Sequence, residues 1–240
     1  LIGHEGYGSY TGSWDMIRAY SMTVPIFLES PYGFGNEELD YWSLLAGLHY
    51  HPDAIDLHPE YLTTVRPSIL RWVSAHLGRT IQKTPSVWTA LRDTEYEKLE
   101  WGSGGCSGHM GDWTFWLSRV ELPGGGTVRI WRESLPKEAQ SSIYSRQARR
   151  TDQANGQQYI YFNVADGYPY LAHKPINEEG GNVSYSVRVI FLNKGTDTLS
   201  LQYKNYDGQV VSKTLQKGSA LGPVNTWIDY TFVLRDAYLD

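Results

Sequence analysis

The chain has 240 residues, of which 41% are hydrophobic and 20% are charged, a balance that excludes a disordered protein and indicates a globular one. Its net charge of −5 argues against a nucleic-acid partner, because a protein that binds nucleic acid carries a basic face. No apolar stretch approaches the roughly 18 residues of a membrane-spanning helix, so we predict no membrane span.

The first hundred residues alternate short apolar runs with helical patterns, which is the order expected of βα units. The apolar runs predict three strands, at residues 1–5, 24–28 and 54–58. Three helices follow them, beginning at Ser13, at Asn36 and at Pro67. The second helix has a buried stripe of Leu39, Trp42, Leu45 and Ala46, and the third ends at Gly78.

The pattern changes after about residue 114, where the apolar runs become short, β-branched and aromatic. Glycine-containing turn pairs separate them, as in Asp207-Gly208, and this spacing is typical of an antiparallel sandwich or jelly roll. The strands are predicted at residues 127–131, 159–164, 185–192, 199–203, 210–215 and 227–234. We therefore predict two domains, an α/β domain over residues 1–105 and an all-β domain over residues 106–240.

The α/β half contains too few βα units to form a closed fold. A parallel sheet needs both faces covered, and an eight-stranded barrel takes about 250 residues. The simplest interpretation is that residues 1–105 are the last three βα units of a (β/α)8 barrel whose N-terminal part lies outside this sequence. The alternative is a small three-layer α/β domain with open sheet edges.

Several segments resemble a known class of enzyme. Residues 27–36 (FLESPYGFGN), 54–62 (AIDLHPEYL) and 83–96 (KTPSVWTALRDTEY) resemble the end of the catalytic barrel in large bacterial extracellular glycoside hydrolases. Residues 183–239 are similar to the carbohydrate-binding β-sandwich that often follows such barrels. The resemblance implies a secreted or cell-surface protein with a carbohydrate partner, and it implies that the nucleophile is Glu29, at the end of the seventh barrel strand.

Glycoside hydrolysis needs two carboxyl groups, and two acidic residues at predicted strand ends are candidates for them. Glu29 ends the second predicted strand, and its alternative role is a carboxylate satisfied by the loop or by a helix N-terminus. Glu5 ends the preceding strand, about 4.8 Å away if the strands are neighbours. Glu5 either completes the catalytic pair or binds substrate, and its alternative role is hydrogen bonding within its loop.

Other polar and aromatic residues follow the same strand ends and are candidates for substrate binding. Imidazole, carboxylate and aromatic side chains can hydrogen-bond sugar hydroxyls or stack on sugar rings. The predicted substrate-binding residues are His4, Tyr7, Trp14, Tyr32, Asp56 and His58. A metal site built from His49, His51 and His58 is disfavoured because the first two do not share a helical face. We predict no metal and no cofactor.

Two functions remain open on the sequence. The first is a glycoside hydrolase that acts on a poly- or oligosaccharide through two carboxyl groups, with this chain alone expected to be inactive. The second is a non-catalytic extracellular carbohydrate-binding or structural protein that reuses the same scaffold, since a fold does not fix a function.

Overall fold

The computed structural model describes residues 25–30, 35–91, 112–130, 132–145, 148–166 and 184–238, without the side chains of Glu29, Ser30 and Arg129. The described part is a mixture of helices and strands in which most of the sheets are antiparallel. The chain divides into two compact units, the first comprising Leu1–Trp131 with Arg146–Ala165 and the second comprising Arg132–Ser145 with Asp166–Asp240. The predicted boundary at residue 105 lies outside the described residues.

The first unit begins with a βαβ arrangement. Strand β1 (Phe27–Ser30) and strand β2 (Ala54–Leu57) are joined by helix α1 (Glu37–His49). The two strands are parallel, with Phe27 opposite Ala54 and Ser30 opposite Leu57. Parallel pairing of consecutive strands across a helix is the arrangement that the βα pattern predicts.

Helix α1 begins as the sequence predicts. The Asn36 side chain caps it by accepting hydrogen bonds from the backbone N–H of Glu38, at 2.9 Å, and of Leu39, at 3.4 Å. The acidic residues in its first turn suit the positive end of the helix dipole. Of the predicted stripe, Trp42, Leu45 and Ala46 are buried, whereas Leu39 is only partly buried.

Two further helices follow β2. Helix α2 (Glu60–Thr64) is a single short element that the sequence pattern did not indicate, and helix α3 (Pro67–His76) starts at the predicted proline. Gly78 follows α3 with a φ of +62°, a conformation that glycine adopts without strain. The three helices and β2 share one core, made of Leu44, Leu48, Tyr61, Val65 and Val73 with Ile55 and Leu57 against it.

The helices lie on one face of the β1–β2 pair. A Cβ on Gly47 would lie 3.1 Å from Ile55 Cδ1 and 3.9 Å from Leu28 Cδ1, so the absence of a side chain lets α1 approach the sheet closely. Because strand side chains alternate between faces, Phe27 and Asp56 belong to the opposite face. Both are exposed, Phe27 to 52%.

The rest of the first unit is built from short antiparallel pairs. Strand β3 (Trp88–Ala90) pairs with β4 (Trp113–Phe115), β5 (Leu117–Val120) with β8 (Tyr161–Val164), and β6 (Val128–Ile130) with β7 (Ala148–Arg150). Trp42 of α1 packs against Trp113 with ring centroids 5.5 Å apart, and Trp72 is partly buried against the same cluster. The buried position predicted for Trp42 is therefore confirmed.

Within its described residues, the second unit consists of two antiparallel sheets and two short helical segments, a 3₁₀ turn (Arg132–Ser134) and helix α4 (Lys137–Gln140). Strand β9 (Tyr185–Leu192) pairs with β12 (Trp227–Leu234), and the bounds of both strands are those that the sequence predicts. Strand β10 (Thr198–Asn205) lies between β11 (Val210–Gln216) and β13 (Ala237–Tyr238). Side chains of both sheets meet in a core of Tyr203, Phe232, Leu234 and Ala237.

Within the part of the chain that the structure describes, the helices are all too short or too polar to cross a membrane.

Candidate functional site

The candidate site is the edge of the β1–β2 pair where both strands end. The parallel register sets Glu29 opposite Asp56 and Ser30 opposite Leu57. Neighbouring strands lie about 4.8 Å apart, so two acidic positions stand side by side on adjacent backbones. The structure describes Glu29 by its backbone only, and it describes Asp56 in full.

The sequence of β2 explains why Asp56 is available to solvent. Ile55 and Leu57 pack against the helices, so the residue between them must point away from that core. Asp56 is accordingly exposed, and no salt bridge to another described side chain involves it. Its carboxylate is thus free of any described cation that would neutralise it.

His58 and Glu60 continue this edge beyond β2. His58 Nδ1 lies 3.7 Å from Glu60 Oε2 and accepts a long hydrogen bond of 3.4 Å from the backbone N–H of Glu60. Accepting that bond requires an unprotonated Nδ1, while the ion pair requires a protonated ring. The side chains are 38% and 53% exposed, so both groups are accessible to solvent.

A bidentate ion pair between Glu37 and Arg66 connects the start of helix α1 to the start of helix α3. Arg66 donates from Nε to Glu37 Oε1 at 2.6 Å, from Nη2 to Glu37 Oε2 at 2.7 Å and from its backbone N–H at 3.1 Å. The pair joins the first turn of α1 to the residue before α3. The hydrogen bonds from Arg66 hold the pKa of the Glu37 carboxyl below its usual value, so Glu37 stays ionised and is unsuited to donate a proton.

A second contact fixes the short helix α2. Asp40 is fully buried in α1, and its carboxylate accepts a hydrogen bond from the hydroxyl of Thr64 in the last turn of α2. Tyr61, also fully buried, donates from its hydroxyl to Ser43 Oγ at 3.1 Å. These contacts hold α2, and with it Glu60, at a fixed position on α1.

The structure locates some of the predicted site residues and leaves others untested. Asp56, His58 and the backbone of Glu29 lie together at the strand ends. Five others lie outside the described residues: His4, Glu5, Tyr7, Trp14 and Tyr32. Sequence reasoning missed the Glu37–Arg66 pair, because the two residues are 29 positions apart and only the packing of α1 with α3 brings them together.

The histidines considered for a metal site have other surroundings. His49 Nδ1 lies 3.1 Å from the carbonyl oxygen and 3.0 Å from the backbone nitrogen of Thr114. His51 is buried with its ring stacked on Phe115 at 4.7 Å. The residues that the structure describes contain no group of three or more His, Cys, Asp or Glu side chains that could hold a metal ion.

The arrangement at this edge favours ligands that carry hydroxyl groups or develop positive charge. Asp56 and Glu60 contribute acceptor oxygens, and the guanidinium of Arg66 is paired with Glu37. Carboxylates in such a place can accept hydrogen bonds from sugar hydroxyls or stabilise a cationic transition state. No known protein family, curated protein or solved structure matches the chain.

Proposed function

We propose that this chain is part of a glycoside hydrolase that cleaves a poly- or oligosaccharide with two carboxyl groups. The observation that carries the proposal is the register of β1 and β2, which sets Glu29 beside Asp56 where two parallel strands end. Catalytic residues of βα barrels come from this end of the strands. In the proposal Glu29 is the nucleophile or the electrostatic stabiliser, and Glu5 assists it.

The exposed face of the β1–β2 pair supports a place for both strands in a barrel. Parallel sheets are covered on both faces, yet Phe27 is 52% exposed opposite the helix-covered face. In a (β/α)8 barrel the helices cover the outside and the other face is filled by side chains from the remaining strands. We propose that Phe27 and Asp56 face such an interior, formed with further βα units of the same protein.

The remaining polar groups then have roles in binding. Asp56 and His58 would hydrogen-bond the hydroxyls of the sugar next to the scissile bond, and His4, Tyr7, Trp14 and Tyr32 would complete the binding walls. Glu37 would stay ionised because Arg66 holds it, so it contributes to the shape of the edge and not to proton transfer. The proposal includes a secreted or cell-surface location, as expected for an enzyme of polysaccharides.

The test is Glu29→Gln in the native polypeptide that contains these 240 residues, assayed for reducing ends released from a panel of polysaccharides. We expect activity to fall more than about 1,000-fold, because the substitution keeps the shape of the residue and removes the carboxylate. Glu138→Gln, an exposed change in α4, is the matched control and should leave the rate unchanged. A Glu29→Gln protein that hydrolyses at the normal rate would refute the assignment.

A non-catalytic carbohydrate-binding protein is the second candidate. An exposed aromatic side chain in the first unit favours it, that of Tyr159, which is 40% exposed. In that case the native polypeptide retains polysaccharide but releases no reducing ends from any of the panel. Binding and hydrolysis measured on the same protein distinguish the two candidates.

A further inference from the structure

A turn of three glycines in the first unit packs against three side chains of residues 157–161, a segment that ends at the first residue of β8. The turn is Gly124, Gly125 and Gly126, and the side chains are Gln157, Tyr159 and Tyr161. A Cβ on Gly124 would lie 3.8 Å from Tyr159 Cδ2, one on Gly125 would lie 2.6 Å from Tyr161 Cδ2, and one on Gly126 would lie 2.3 Å from Gln157 Cδ. Each glycine therefore faces one side chain of the segment.

Backbone hydrogen bonds fix the turn to this segment. The Gly124 carbonyl accepts from the N–H of Gln158 at 2.8 Å and of Tyr159 at 3.2 Å, and Gly126 N–H donates to the Tyr159 carbonyl at 3.1 Å. The turn itself closes with Gly125 N–H donating to the Leu122 carbonyl at 2.9 Å. The tyrosines therefore pack against a turn that is hydrogen-bonded to their own segment and closed by a hydrogen bond of its own.

The two tyrosine rings form a partly exposed pair. Their centroids are 5.6 Å apart with an angle of 33° between the planes. Tyr159 is 40% exposed, while Tyr161 is partly buried with its hydroxyl 3.4 Å from the Pro123 carbonyl oxygen. The turn covers one side of the pair, so the exposed area of the rings lies on the side away from the glycines.

The same face carries amides beside the rings. Gln157 touches Gly126 next to the pair, and the exposed Asn163 shares the face of Tyr161 because it lies two residues further along β8. Residues 157–163 contain no charged side chain. A row of amide, ring, ring and amide can stack on apolar C–H faces and exchange hydrogen bonds with neutral hydroxyls at either end.

We propose that Tyr159 and Tyr161 form a binding site for a neutral glycan chain, with Gln157 and Asn163 as its hydrogen-bonding ends. We name these four residues the tyrosine platform. A neutral glycan fits better than an anionic one because the platform offers no cation to an acidic sugar. The site goes beyond the proposed hydrolase function and does not depend on Glu29.

The test is affinity electrophoresis of the whole 240-residue chain through gels containing neutral polysaccharides (cellulose derivative, xylan, mannan or starch) or the anionic polysaccharide alginate. We expect at least one neutral polysaccharide to retard the chain and alginate to have no effect. Tyr159→Ala should weaken the retention about tenfold, since one stacking ring is lost. Tyr159→Phe keeps the ring and should stay within about twofold.

Phe162→Ala is the matched control, because Phe162 is similarly exposed at 47% on the opposite face of the same strand. It should leave retention unchanged. Tyr159→Leu keeps apolar bulk over Gly124 but has no aromatic face. It separates the loss of stacking from a folding defect in the alanine variant. We expect Tyr159→Leu to lose retention to the same degree as Tyr159→Ala.

Three outcomes would overturn the site: no retention by any neutral polysaccharide, equal losses in Phe162→Ala and Tyr159→Ala, or unchanged retention in Tyr159→Leu. Glu29→Gln should bind as the unsubstituted chain does. A failure of the hydrolase assignment therefore leaves the binding result intact, and a failure of binding leaves the hydrolysis result intact.

Discussion

Gly125→Ala tests whether the glycine turn and the tyrosine pair form one structural unit. The φ of Gly125 lies outside the left-handed region, so alanine fits its backbone without strain. The new methyl group would nevertheless lie 2.6 Å and 2.8 Å from Tyr161 Cδ2 and Cε2, and 3.0 Å from the Leu122 carbonyl oxygen. Since these distances are shorter than carbon contacts allow, the ring must move.

The magnitude follows from two opposing effects. Overpacking of this kind costs about 1–3 kcal/mol, and replacing glycine by alanine recovers about 0.4–1 kcal/mol by restricting the unfolded chain. We expect Gly125→Ala to lower the free energy of unfolding by about 1–2 kcal/mol. In a Tyr161→Ala background the ring is gone and the same change should cost less than about 0.5 kcal/mol, which gives a coupling of about 1 kcal/mol.

The assay is urea unfolding of the four proteins of this cycle, with the free energy taken from the linear extrapolation. Gly208→Ala is the control for backbone strain, because Gly208 has a φ of +73° and open space around its Cβ position. Its cost should be about 1 kcal/mol whether or not Tyr161 is present. Equal costs of Gly125→Ala with and without the ring would refute the steric argument.

Three further predictions concern single side chains. Asn36→Ala should lower the free energy of unfolding by about 1 kcal/mol through loss of the α1 cap, measured by urea unfolding. Asn193→Ala should cost about 3–5 kcal/mol, because this fully buried amide donates to the carbonyls of Gly218, Gly222 and Pro223 and accepts from Gly218 N–H. Burial lowers the pKa of His76, so the unfolded chain takes up its proton first and stability should fall as the pH drops below about 6.5. The urea midpoint of His76→Gln should depend less on pH over the same range.

The geometry behind the His76 prediction identifies its neutral form. Nδ1 lies 2.7 Å from the Trp72 carbonyl oxygen and therefore donates, while Nε2 lies 2.8 Å from Ser86 Oγ and accepts. Protonation of Nε2 would turn that acceptor into a donor and force the Ser86 hydroxyl to reverse. His76 is 1% exposed, so water does not solvate the charge of the protonated ring.

The sequence predicts those features that depend on neighbouring residues. The Asn36 cap, the start of α3 at Pro67 and the turn at Gly208 each need only a short segment with the right side chains. The strands β9 and β12 follow from β-branched and aromatic runs bounded by turn residues. These elements are local, so their sequence contains most of the information that forms them.

Tertiary contacts decide the features that the sequence could not predict. Helix α2 forms where Tyr61 is buried under α1 and Thr64 reaches Asp40, and neither partner is near in sequence. Strand β5 pairs with β8 across 40 or more residues, and although β8 lies within a predicted strand, neither β5 nor its pairing was predicted. Trp116 separates β4 from β5 with a φ of +59°, a conformation that its residue type disfavours.

The candidate site shows the same division between local and tertiary information. That Glu29 ends one apolar run and Asp56 lies within the next is visible in the sequence, whereas their side-by-side register depends on how two strands pair. A slip of one residue would turn Asp56 toward the helices and Ile55 away from them. Ile55 and Leu57 prevent that slip because both belong to the core beneath the sheet.

The exposed face of β1 and β2 links this register to the proposed function. The same alternation that buries Leu28 and partly buries Ile55 leaves Phe27 at 52% exposure on the other face, where Asp56 also lies. Burying a phenylalanine side chain contributes about 1.5–3 kcal/mol to stability. Covering the exposed face of these two parallel strands would therefore be favourable. Further strands that closed over Phe27 would bring their own ends to the edge that holds Glu29 and Asp56. In the proposed hydrolase, the βα units that bury Phe27 would also bring a further carboxyl group to the edge that holds Glu29.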